Sequence, residues 1–448
     1  LNTISSAGTV FASDLYNKYN YASGFARITY NLNRKYLLNL NYRKDASSRF
    51  GPNHKLAGFA SVGAAWIFSS EAGIMKSLPV LSFGKLKVSY GTTGNDRVDN
   101  YLYEMYYNTY NGSYFSPGYE GINTLGPGIS ANPALAWEIT RKAELSLDLG
   151  FLKDRILLHG NIYRNRSSNI INAELLSGQA GTTFVTTNFD AVVQNKGLEL
   201  ELTTRNIQTR DVSWTTSLNI SLTKNTLIRF NNIENADASS RYIVGAPVNV
   251  YLDYYKYSYA GPDPVTGVPG FKNLDDVPGA DRYVVGIGTP YYGGLNNTIT
   301  FRNFTLDVFI KFQNRRGKQN DLLTRVPFGG MSNQNISALS RYRPGKDNED
   351  VVWPLAVSGV GPLTSVYSNF YNSDFAYGNI PYLKIKNVNL SYDIPARLIN
   401  KAGMNSVKIY LQSQNLFTLA KQKYVMDPEM PGAYPSLRTF VFGINCSL

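Results

Sequence analysis

Glu199 and Glu201 stand two residues apart in Leu198-Glu199-Leu200-Glu201-Leu202. Paired carboxylates on one face of a strand are the groups that acid/base cleavage of a glycosidic bond would use. A polar strand face produces such pairs routinely, and no nucleophile, base and orienting group accompany this one, so no catalytic site is expected. His54 and His159 sit in different contexts, and Cys446 is the one cysteine. That supplies neither an intrachain disulfide nor the ligand spacing of a zinc site. The acidic residues between Asp263 and Asp276 are too sparse for a calcium loop, and a structured turn is expected there. No cofactor is expected.

The strongest binding chemistry is aromatic. Tyr101, Tyr103, Tyr106, Tyr107, Tyr110, Tyr114 and Phe115 fall within a single stretch rich in Gly, Asn and Pro. Such rings could stack on sugars or on apolar peptide side chains, or they could pack the loop itself or a lid. Both uses remain open from sequence.

The elements that must position these groups alternate with a period of two. Leu145, Leu147, Leu149 and Phe151 interleave with Glu144, Ser146, Asp148 and Gly150. A strand turns successive side chains to opposite faces, so one face is apolar and the other carries carboxylates. A short break at Leu152-Lys153-Asp154 leads into a second such strand from Arg155 to Asn165. A soluble sheet could show this period, but its repetition along the chain matches the wall of a transmembrane β-barrel, with lipid outside and water inside.

Further strands are expected at Phe25–Leu32, Tyr36–Arg43, Gly58–Phe68, Leu86–Tyr90, Leu198–Thr203, Ser213–Leu222, Leu295–Phe301, Phe304–Phe312, Leu383–Tyr392, Val407–Leu416 and Leu437–Leu448. Tight turns fall at Asn33-Arg34, Lys153-Asp154, near Gln208–Asp211 and at Arg302-Asn303, and a short helical turn at Glu71–Leu78. Long extracellular loops are expected at 94–136, 167–190, 226–290, 314–378 and 418–436. The phase change from Leu383 and Ile385 to Val388, Leu390 and Tyr392 predicts a bulge.

The short turns share one side only if Val248–Ala260 makes no net crossing. The expected architecture is all-β: the C-terminal ~13 strands of a transmembrane antiparallel barrel of about 22 strands. Upstream residues would supply the first strands, and Leu448 would end in the periplasm. On this reading Glu144, Asp148, His159, Glu199, Glu201 and Arg205 line the lumen wall.

Composition agrees with this. Of 448 residues, 33 are Tyr, a side chain favoured where apolar and wet zones meet. Mean hydropathy is −0.24 and no apolar run is long enough for a spanning helix, which leaves a spanning barrel open. The net charge of +12 is scattered, without the basic stripe or recognition motif that nucleic-acid binding requires. The chain begins at Leu1 with neither an initiator methionine nor a leader, as a processed or truncated chain would. A soluble all-β binding protein is the alternative from composition alone.

A set of motifs in fixed order gives a resemblance. They are Asp45-Ala46-Ser47-Ser48-Arg49-Phe50-Gly51, Leu86-Lys87-Val88-Ser89-Tyr90-Gly91-Thr92-Thr93-Gly94-Asn95, and Asn132-Pro133-Ala134-Leu135-Ala136-Trp137-Glu138. Asn195-Lys196-Gly197, Gly288-Thr289-Pro290, Leu383-Lys384-Ile385-Lys386-Asn387-Val388, Gln414-Asn415-Leu416-Phe417-Thr418, Asp427-Pro428-Glu429 and Gly443-Ile444-Asn445 follow. With these motifs the chain resembles the barrel portion of the SusC/RagA family, TonB-linked outer-membrane proteins of Bacteroidetes. The resemblance implies TonB-dependent import of bulky nutrients, either oligosaccharides or peptides. It implies a SusD-like surface lipoprotein as lid, an N-terminal plug, and TonB engaged through the N-terminal region, with plug and box outside this sequence. A barrel of this kind serving as a structural subunit among other outer-membrane subunits is the alternative.

Overall fold

The computed structural model describes residues 16–110, 124–127, 130–180, 182–233, 242–248, 255–272, 282–284, 288–318, 333, 336–346, 351, 353–356, 363–371, 373–399, 403–421, 427–430 and 434–447. Thirteen strands form one antiparallel sheet in which each pairs with its neighbours in sequence. They are β1 (Tyr21–Leu32), β2 (Tyr36–Ser47), β3 (Leu56–Trp66), β4 (Leu81–Asn95), β5 (Glu138–Phe151), β6 (Ile156–Leu175) and β7 (Phe184–Gln208). β8 (Val212–Phe230), β9 (Gly288–Phe301), β10 (Phe304–Lys318), β11 (Tyr377–Asp393), β12 (Ser406–Ala420) and β13 (Thr439–Ser447) complete the sheet. β1 and β13 are its two edges.

Register converts the alternation of single strands into a two-faced sheet, because a slip of one residue would invert every side chain. One apolar row runs Leu149–Leu158–Leu202–Leu218–Leu295–Ile310–Ile385–Phe417 across eight strands. On this same face Ile28, Val88, Leu145, Ile162, Leu390, Leu411, Phe440 and Phe442 are all exposed. An apolar surface this continuous is not what a soluble monomer presents, and it suits contact with lipid.

The tight connections lie at one end of the sheet. Asn33 and Arg34 have φ of 54° and 58°, the left-handed backbone that a two-residue hairpin turn with native twist requires. Leu152, Lys153 and Asp154 adopt similar angles, as does Arg302. Asp154 is fixed by its neighbour strand, since Ser82 donates to its carboxylate at 2.6 Å. The expected helical turn forms at Ala72–Ser77.

The strands are longer than the apolar pattern predicted. β7 has 25 residues, against the roughly 9–11 that suffice to cross a bilayer. Most of 167–190, expected as a long loop, is therefore strand: Ser167 pairs with Val193 and the ladder continues to Leu175 opposite Phe184. The alternation fades there because both faces can be polar beyond a lipid layer, while the backbone ladder continues. The loop shrinks to residues 176–183. Between β8 and β9, Tyr255–Tyr257 with Arg282–Val284 and Tyr259–Pro262 with Pro269–Phe271 form separate two-stranded sheets. The described part of this segment adds no strand to the main sheet, as the parity of turns required.

At the long-loop end, two sequence motifs, those at 45–51 and 132–138, converge. Phe50 and Leu135 are fully buried, with Phe59, Leu102 and Trp137 around them. The Trp137 ring centroid lies 5.1 Å from Phe50 and 5.7 Å from Phe59. Arg49 donates to Asn100 at 3.2 Å and to the Asp96 carbonyl at 3.0 Å, and stacks over Tyr19. Ser47 and Tyr19 both donate to the Asp96 carboxylate. Gly51 fits because a Cβ there would lie 2.7 Å from the Pro133 carbonyl oxygen. Gly51→Ala is expected to cost about 1–3 kcal/mol through overpacking against rigid backbone. Gly24→Ala, where nothing lies within 4 Å, should leave the thermal midpoint in detergent unchanged.

Candidate functional site

The polar face opposite the apolar rows is the candidate site. One row runs Lys85–Asp148–His159–Glu201–Asn219–Gly294–Lys311–Lys384. The next runs Lys87–Ser146–Asn161–Glu199–Ser221–Tyr292–Gln313–Tyr382. Asp148 sits between two cation-capable groups, paired with Lys87 at 2.9 Å and hydrogen-bonded to His159 Nδ1. Ser146 donates to Asn161 at 2.8 Å, and Asn161 donates to Glu199 at 3.1 Å. His159 is therefore a polar-face residue held by a carboxylate.

The six residues expected on the wall all fall on this face, but not together. Asp148 and His159 touch, and Glu199 joins through Asn161. Glu201 is exposed opposite His159 and Asn219, and Glu144 is exposed between Ser89 and Tyr163. Arg205 is exposed nearer the short turns, where its carbonyl accepts from Arg155 at 3.3 Å.

The loop aromatics divide. The Tyr101 hydroxyl accepts from the Lys18 backbone N–H at 3.0 Å, and Tyr103 is half-buried, so both pack the protein. Tyr106 and Tyr107 are 46% and 61% exposed. Tyr110 lies in the strand Tyr107–Tyr110, paired with Thr124–Pro127. Tyr114 and Phe115 lie outside the described residues. The buried anchor of the loop is Leu102.

The most tightly organised polar cluster was not picked out from sequence as a site. Lys384, on β11, is fully buried and contacts Asp427 at 2.9 Å and Glu429 at 3.1 Å. Lys311 and Lys386 reach Glu429 at 2.7 Å and 2.8 Å. Asp427 also accepts from the backbone of Glu429 and of Ser436, so the Asp427-Pro428-Glu429 turn is held in a single shape. Pro428 is fully buried beneath it. Tyr382 donates to Gln313 at 2.7 Å at the edge of the cluster.

The predicted bulge makes this possible. Register breaks between Ile385 and Asn387 on both sides of β11, leaving Lys386 as the extra residue. Lys384 and Lys386 thus keep the polar face while Val388 and Leu390 resume the apolar one. Burial opposes ionisation of Glu429, but its hydrogen bonds from Lys311, Lys386 and Lys384 outweigh it and hold the carboxyl down at about 2. Asp427 is also held below the usual carboxylate range, its burial outweighed by Lys384 and the two backbone N–H groups. Leu383-Lys384-Ile385-Lys386 shows two lysines on one strand face, but their partners lie some forty residues on, beyond any spacing rule.

The turn around Asp263 has a separate explanation from metal binding. Its carboxylate accepts from the N–H groups of Val265 and Thr266 and from the Thr266 hydroxyl, an Asx-type turn. Tyr342 donates to the Pro264 and Val265 carbonyls, and Tyr259 packs with Phe370 and Phe375, so the loops at 255–272 and 336–376 fold on each other.

Comparison with known proteins agrees with this architecture. The chain is 26% identical to TonB-dependent receptor P3 of Formosa agariphila, over 98% of this chain and 46% of that protein. It is 24% identical to TonB-dependent receptor SusC of Bacteroides thetaiotaomicron, over 94% and 43%. It therefore spans about half the length of the curated relatives it matches. The RagAB peptide transporter structure superposes with a TM-score of 0.81 at 23% identity, covering 99% of this chain and 50% of that one. Residues 1–333 match the model of a family described as TonB dependent receptor-like, beta-barrel. The chain, with its thirteen-stranded antiparallel sheet, belongs to that TonB-dependent receptor barrel family.

Proposed function

We propose that this sheet is part of the wall of an outer-membrane importer that takes up bulky nutrients, oligosaccharides or peptides, with TonB as energy source. The observation that carries the reading is the two-faced register. A continuous exposed apolar face backs a polar face of interlinked Lys87, Asp148, His159, Asn161 and Glu199. A lipid-facing exterior and a hydrated interior account for both. The names of the relatives support a TonB-dependent receptor, and those named SusC and RagAB support a surface lipoprotein of the SusD kind as partner. In this orientation the long loops face outward, the short turns and the end of β13 face the periplasm, and Tyr106 and Tyr107 stand where substrate or lid would first arrive.

The test is growth and uptake in a deletion strain across a panel of glycans and peptides. Loss of uptake of one class, restored by the full-length receptor, is the expected result. Asp148→Asn combined with Glu199→Gln should lower that uptake about thirtyfold, at on the order of 1 kcal/mol for each contact. A deletion strain indistinguishable from its parent on every substrate would overturn importer function.

A further inference from the structure

On the apolar face, the two register levels nearest the long loops change character. The level of Val88, Leu145, Ile162, Leu198 and Leu222 is apolar. Two residues further toward the loops the row reads Tyr90–Ala143–Arg164–Lys196–Lys224, and beyond it Arg141 pairs with Arg166. Strand parity places all five cations on the same face as the leucines. Arg141, Arg164, Lys196 and Lys224 are exposed, and none of them forms an ion pair among the described residues. Arg166 is held by Gln194 at 2.9 Å. At this level lies a groove of about 690 Å³, lined by Val88, Tyr90, Leu145, Ile162 and Leu222 and, of the cations, by Arg164, Lys196 and Lys224.

We infer that this groove binds a phosphate-bearing lipid of the outer leaflet, its acyl chain against Val88, Leu145, Ile162 and Leu222 and its phosphate on Arg164, Lys196 and Lys224. A scattered surplus of charge would not place unpaired cations on the lipid-facing side, one step above the apolar band. Cations at headgroup height attract anionic lipid, and an apolar floor directly below adds the chain contact. Guanidinium and ammonium groups together suit a phosphate, the former through paired N–H donors and the latter as a point charge. The inference rests on the membrane-barrel reading but not on transport.

The test is native mass spectrometry of the full-length receptor in mild detergent, with added bisphosphorylated lipid A or the same lipid after phosphatase treatment. Wild type should retain the phosphorylated lipid selectively, with retention falling as salt rises. Arg164→Glu with Lys196→Glu and Lys224→Glu should lower retention at least tenfold. Lys142→Glu, on the opposite face of the adjacent strand β5, should leave it unchanged, and Lys196→Arg with Lys224→Arg should preserve it, which guards against misfolding as the cause. Equal retention by the charge-reversed receptor, equal retention of the phosphatase-treated lipid, or a protein dimer filling the groove would overturn the assignment. Lipid retention is read without substrate, so import can fail while this holds, and the reverse.

Discussion

Replacing Glu429 by alanine is expected to unseat the turn at 427–430 and the chain leading to β13. Three ammonium groups converge on this carboxylate, and Lys384 is buried with Asp427 as its remaining partner. Removing one side of a buried ion cluster leaves uncompensated charge, at a cost of about 3–5 kcal/mol. Hydrogen exchange should rise at 427–438 while the strands stay protected. Lys384→Met with Asp427→Leu should cost less than either change alone, because no lone charge then remains. Unchanged exchange in Glu429→Ala would show that the turn is held by Pro428 and the backbone alone.

The same carboxylate sets a pH window. Its folded pKa, about 2, lies below the ordinary value of 4.5, so its contribution is fully present above about pH 4.5. The contribution falls away as pH drops from there toward 2, for a total of about 3 kcal/mol. Protection of 427–438 should be flat from pH 7 to 5 and should decline below. Glu429→Gln should remove most of that dependence.

Trp137→Ala is the second large effect. The indole is 6% exposed, packs on Phe50 and Phe59, and donates to the Lys55 carbonyl at 3.2 Å. Truncation opens a cavity in a cluster whose walls are strand ends and so cannot close fully, costing about 3–5 kcal/mol. The expected result is a lowered thermal midpoint and faster proteolysis within 96–137, with the β5–β6 hairpin still paired. The Trp137 carbonyl accepts from Asn169 at 2.8 Å, a backbone contact that survives the substitution. A midpoint equal to wild type would mean that the loop base is secured by the Arg49, Asp96 and Ser47 contacts without the aromatic cluster.

Much of the fold was legible because a strand has a fixed period. Thirteen strands, the shared end of the short turns and the bulge near Lys386 followed from alternation and turn residues, and among the described residues no strand joins the main sheet between β8 and β9, the condition that turn parity set. Strand ends were less legible. Residues 167–175 and 184–190 are paired although their side chains no longer alternate, since hydrogen-bonded backbone carries no side-chain signature once both faces can be polar. Within the site, the polar face of Asp148, His159, Glu199 and Glu201 could be read from parity, but which of them touch could not.

The sequence by itself determined a two-faced antiparallel wall and the identity of its faces, because period and turn chemistry are local properties of the chain. Tertiary structure alone decided that Phe50, Leu135 and Trp137 meet, that Lys311, Lys384 and Lys386 close on Glu429, and that Arg164, Lys196 and Lys224 share one level. Each of these joins residues from different strands or loops. Their proximity depends on inter-strand register and on where a loop folds back, and neither is encoded in the spacing of the residues that meet.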